Sequence, residues 1–158
     1  MKGSIEPAWI KWIYAISALT TLFTGFGNMP LYGRYYIADL PGLKWTGNFI
    51  VNVQVHYLFG SLLLAVGVYF LLLFIMLRRR GWRLSRSGAA QAVALVLVLS
   101  SGGIMALKNF SGVVFAQPLL ISLNLYHLGS AMVFAVVVLG MLFFRKPWFQ
   151  TAPSASTS

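Results

Sequence analysis

The sequence predicts an all-α membrane protein, a four-transmembrane-helix bundle with N and C termini cytoplasmic. Three observations carry this expectation. Of 158 residues, 59% are hydrophobic and only 9% charged, and mean hydropathy is +0.80; soluble domains hold about 25% charged residues. Four apolar runs, about 8–27, 49–77, 89–107 and 118–144, reach the roughly 20 residues that cross a bilayer core. Basic residues gather at one set of ends, with Arg78, Arg79, Arg80, Arg83 and Arg86 after the second run and Arg145 and Lys146 after the fourth. The loops on the other side hold only Arg34, Lys44 and Lys108. This asymmetry is the positive-inside pattern. It assigns the net charge of +10 to a membrane surface and not to nucleic acid.

The first span opens after Pro7, which suits a helix start, with Glu6 near the positive end of the helix dipole. Lys11 lies one turn in and can snorkel to the surface, and Trp9 and Trp12 suit the interface. The GFGNMP that follows the apolar core is not a signal-peptidase site. Ser17, Thr21, Thr24 and Asn28 recur at helical spacing and give this span one small, polar face. In lipid such a face points at other helices or at a cofactor.

Residues 28–48 carry two prolines, three glycines, three tyrosines and a tryptophan, which predicts an outer loop held at the membrane surface by its aromatic rings. In the second span His56, Gly60, Leu63 and Gly67 share one helical face. Small residues beside a histidine leave room for a flat macrocycle, and they also allow close helix packing. The arginine-rich 78–88 segment fixes the cytoplasmic side. The third span has Gln91 near its start and Ser100–Gly103 (SSGG) near its outer end. The fourth opens at Pro118 and closes before Arg145. Residues 1–147 form one transmembrane domain, and 148–158 read as a small, polar, disordered tail. No internal sequence repeat is evident.

His56 and His127 are the only histidines, each inside an apolar span. At 1.5 Å rise per residue, His56 lies roughly 10 Å below Phe49 and His127 roughly 13 Å below Pro118, so topology brings them to nearly one depth in the outer half of the bilayer. An intramembrane histidine is costly and marks a functional candidate. Two imidazoles on facing helices suit haem b, held axially from both sides. Zinc wants three or four ligands, and the chain has no cysteine and only Glu6 and Asp39 as carboxylates, both outside the spans. The other reading is two neutral histidines, each hydrogen-bonding across helices. Arg34 suits a haem propionate or an ordinary interfacial position. Asn52, Gln54, Asn124, Lys108 and Tyr126 are the polar groups available at the outer end for a quinone.

Leu19–Pro30 (LTTLFTGFGNMP), the aromatic outer loop, His56 early in the second span and His127 in the fourth together resemble the four-helix cytochrome b subunits of bacterial respiratory enzymes. That family includes the gamma subunit of formate dehydrogenase and its counterparts in thiosulfate reductase and nickel–iron hydrogenase. The resemblance implies a multi-pass subunit of a bacterial or archaeal plasma (inner) membrane. It further implies an electron-transfer role within an oxidoreductase complex, between a membrane quinone and an outer iron–sulfur or multihaem cytochrome c subunit. His56 and His127 match the family's outer haem ligands, with Gly60, Gly67 and Arg34 beside them. The inner pair is missing, because the first span has no histidine and the fourth has no second one. One haem b is therefore expected. A cofactor-free membrane anchor or assembly subunit is the alternative.

Overall fold

The computed structural model describes residues 7–29, 37–144 and 147–151. Four α-helices dominate: α1 (Ala8–Gly27), α2 (Phe49–Arg78), α3 (Arg86–Leu107) and α4 (Gln117–Phe144). The chain divides into two compact units, Met1–Val66 and Gly67–Ser158. The first contains α1, the loop and the start of α2; the second contains the rest of α2 with α3 and α4.

Three helices, α2, α3 and α4, are long and apolar enough to cross a membrane. At 1.5 Å per residue, the 30 residues of α2 span about 45 Å, more than the roughly 30 Å hydrocarbon core. Only 17–22% of each apolar window is buried. Phe143 is 82% and Val136 72% exposed, a surface that suits lipid and is untenable in water. The protein is a membrane protein on this ground. The expected span over 8–27 is a helix of 20 residues, but Lys11, its tryptophans and its hydroxyl residues dilute its hydropathy, and it is not among those three.

Local chemistry explains where the helices begin. Pro7 precedes the first turn of α1 with φ −57° and has no N–H to leave unsatisfied. Asn48 caps α2, its Oδ1 accepting from the Ile50 and Val51 amides at 3.1 and 3.3 Å. Ser85 caps α3, accepting from the Gly88 amide at 2.9 Å. This cap starts α3 at Arg86, three residues before the expected 89. In the 28–48 loop, two short 3-10 turns cover Ile37–Asp39 and Lys44–Gly47, and Thr46 is buried.

The expected disordered tail is corrected at its start. Phe149–Thr151 (β2) pairs antiparallel with Trp82–Leu84 (β1), in the register Trp82–Thr151, Arg83–Gln150 and Leu84–Phe149. A turn at Gly81, φ +77°, leads from α2 into β1. Trp148 stacks on Phe70 at 4.4 Å with rings 7° from parallel, and both Trp148 and Phe149 are buried. The Ser85 amide donates to the Trp148 carbonyl at 2.9 Å, and the Ser85 hydroxyl donates to the Pro147 carbonyl at 2.6 Å. Buried aromatic area and these bonds outweigh the entropy of an otherwise polar tail. Residues 152–158 lie outside the described residues.

Gly88 is where this segment passes closest to α3, and a Cβ there would overlap the Trp148 carbonyl oxygen. Gly88→Ala is predicted to unseat the ribbon, raising hydrogen exchange at 82–84 and 149–151. Trp148→Ala is predicted to lower stability by about 3 kcal/mol, measured by unfolding in detergent.

Candidate functional site

In the first unit, the C-terminal turn of α1 docks on the N-terminal third of α2 through two side chains one turn apart. Asn52 is 1% exposed. Its Nδ2 donates to the Thr24 carbonyl at 2.9 Å and to Asn28 Oδ1 at 2.8 Å. Gly27 makes this approach possible, since a Cβ there would stand 2.9 Å from Asn52 Nδ2. One turn further, His56 Nδ1 lies 3.0 Å from Thr24 Oγ1.

The roles in that bond follow from proton supply. A hydroxyl has one proton to donate. Thr24 directs its proton to its own helix, with the Thr20 carbonyl at 2.7 Å and the Thr21 carbonyl at 3.2 Å. With that proton on its own helix, the hydroxyl is left as an acceptor toward the imidazole, an arrangement that pairs with the His56 tautomer protonated on Nδ1.

The second unit repeats the device. His127 Nδ1 lies 2.9 Å from Ser101 Oγ, and Ser101 donates to the Val98 carbonyl at 3.0 Å. Ser130 lies 3.2 Å from the Ser101 hydroxyl and donates to the His127 carbonyl at 2.9 Å. The same pairing of ring nitrogen and helix hydroxyl thus recurs at His127. The residue after each hydroxyl is a glycine pressed against the ring. An ideal Cβ on Gly25 would stand 3.2 Å from His56 Cε1 and 3.7 Å from its Nδ1. The same two distances separate Gly102 from His127. Each helix pair thus carries the same arrangement: a hydroxyl–glycine dipeptide on the first helix and a histidine on the second. The repeat is geometric, without a sequence repeat to announce it.

The partner hydroxyls are what sequence reading missed. Thr24 was legible only as part of a polar stripe and Ser101 only as part of SSGG. A usable signal does exist, a Ser/Thr–Gly pair late in the helix before each histidine helix. Thr24 and Asn28 of the stripe do point at another helix. Ser17 is buried.

The remaining candidates separate. Gly60 opens onto free space, with nothing within 4 Å of an added Cβ. Gly67 packs closely: Leu95 Cδ2 and Leu99 Cδ1 stand 3.3 and 3.5 Å from its ideal Cβ, the helix packing of α2 on α3 that its spacing also allowed. Arg34 lies outside the described residues. Asn52 clamps α1 to α2, whereas Gln54, Asn124, Lys108 and Tyr126 are exposed. Among the described residues no group of three or more His, Cys, Asp or Glu is placed to hold a metal ion. Comparison with known protein families, curated proteins and solved structures finds no match to this chain.

Asn52→Leu removes the donor shared by the Thr24 carbonyl and the half-buried Asn28 Oδ1, at a cost of about 1 kcal/mol. Asn124→Leu, on the exposed face of α4, changes stability by less than about 0.5 kcal/mol. Paired unfolding measurements in one detergent check the contrast.

Proposed function

We propose that this chain is a membrane cytochrome b subunit of a respiratory oxidoreductase complex, in which His56 and His127 would hold one haem b. The carrying observation is the repeated pairing of each imidazole Nδ1 with a helix hydroxyl; with that hydroxyl's proton on its own helix, the imidazole would carry its proton on Nδ1 and its lone pair on Nε2. A metal-binding histidine needs that state: neutral, with one nitrogen tied to a protein acceptor and the other basic. The donor set fits haem b. Two neutral imidazoles complete an iron already held by four porphyrin nitrogens, and no third protein ligand is required.

When bound, the haem supplies one-electron redox chemistry between a membrane quinone and an outer iron–sulfur or multihaem cytochrome c subunit. The chain supplies position and environment. Thr24 and Ser101 hold the ring planes and fix the tautomer. Gly25 and Gly102 let each ring settle against the neighbouring backbone. The apolar helices keep water from the ligands, and Gly60 leaves room on the face of His56. The topology that accompanies this reading has α1 as a fourth span, both termini cytoplasmic, and the histidines in the outer half of a bacterial or archaeal plasma membrane.

A cofactor-free anchor is the second reading. It is favoured by the fact that the same hydroxyl bonds satisfy a purely structural histidine, each contributing about 0.6 kcal/mol between membrane helices.

Pyridine haemochrome analysis and reduced-minus-oxidised spectra of the purified protein separate the two. A b-type band that His56→Ala and His127→Ala each abolish supports the haem. No band in the wild-type protein, or a band unchanged in both variants, contradicts it. Thr24→Val and Ser101→Ala are predicted to keep the band but weaken haem retention by about 10- to 100-fold, measured by transfer to apomyoglobin.

A further inference from the structure

The last turn of α2, the Gly81 turn and β1 enclose a groove lined by Phe74, Arg78, Gly81, Trp82, Arg83 and Leu84. It continues along α2 past Phe74, Ile75, Arg78 and Arg79. We propose that this groove binds one anionic phospholipid of the surrounding bilayer.

Spacing along α2 provides the amphipathic match. Phe74 and Ile75 stand one helical turn before Arg78 and Arg79, on the same faces. An acyl chain can therefore lie on the apolar pair while its phosphate meets the guanidinium pair above. Arg83 approaches from β1 and offers a second fork of donors, a geometry suited to phosphate oxygens. Arg78, Arg79 and Arg83 are all exposed. Trp82 is amphipathic and belongs at headgroup level.

The charge balance favours an anionic partner from outside the chain. Twelve lysines and arginines face two carboxylic side chains, Glu6 and Asp39, and neither belongs to the 67–151 segment that carries the groove. Five arginines fall within Arg78–Arg86, at the end of a helix long enough to cross the bilayer. Basic clusters so placed attract anionic headgroups. The site is also pre-formed. The β1–β2 pairing fixes Arg83, and the Trp148–Phe70 stack ties the ribbon to α2, so little ordering entropy opposes binding. The proposal does not depend on haem.

The test uses the full-length protein, delipidated in a non-ionic detergent, with lipid binding read by native mass spectrometry and thermal unfolding. Phosphatidylglycerol is expected to bind and raise the unfolding midpoint. Phosphatidylcholine with the same chains, and inorganic phosphate at the same concentration, are expected to do neither. One basic residue near a headgroup contributes about fivefold in affinity, so R78Q/R83Q weakens phosphatidylglycerol binding by about 25-fold. K44Q, in the 28–48 loop, leaves it unchanged. Should the double variant lose helix content, R83Q alone, on the exposed ribbon, carries the test at about fivefold. Equal affinity for phosphatidylcholine, a matching response to inorganic phosphate, or full binding by the arginine variants overturns the proposal.

Discussion

The hydrogen bond between an imidazole Nδ1 and a hydroxyl on the preceding helix is the constraint on which the rest of the structure depends. A histidine within an apolar helix is costly unless its polar atoms are met. In each unit the bond forms over about 3 Å, at 3.0 and 2.9 Å, and so brings the two backbones close. That proximity leaves little room for a Cβ beside the ring, which favours the glycine after Thr24 and after Ser101. Helix geometry also offers each hydroxyl a carbonyl three or four residues back. One bond therefore ties the hydroxyl, the glycine and the ring together.

Much of the architecture was legible in the sequence because hydropathy and charge act locally. Apolar runs and the basic ends of the spans are decided by residues within a few positions of one another; the Ser85 cap is as local, but it went unread and α3 starts at Arg86 and not at 89. The contacts that organise the site are of another kind. Thr24 meets His56 across 32 positions and Ser101 meets His127 across 26, and neither hydroxyl differs in type from several that only satisfy their own helix. Gly67 shows the same ambiguity from the other side. Its spacing from His56 places it on one face, but whether that face meets a cofactor or Leu95 depends on how helices pack. The tail misled for a physical reason too: its composition is polar beyond Thr151, but Trp148 and Phe149 hold enough apolar area to order Phe149–Thr151 into a strand.

The two ends of α2 divide the labour of this helix. Its first turns, capped by Asn48, carry Asn52 and His56 and are tied to α1 by side-chain hydrogen bonds. Its last turns carry the arginines and join a small ribbon built from distant sequence. In the first turns Asn52 is buried and His56 half-buried, each bonded to α1, whereas the charges at the basic end are many and exposed. In a bilayer the first arrangement meets the polar atoms of an apolar helix and the second suits the headgroups.

The most direct test of the central claim is nitrogen-15 NMR of the haem-free protein, labelled at histidine alone. The account predicts that both imidazoles are neutral, with Nδ1 protonated and pyrrole-type and Nε2 pyridine-type, and that Thr24→Val and Ser101→Ala each release the preference of one ring only. Protonation at Nε2 in the wild-type protein, or rings that exchange freely between tautomers, would contradict it.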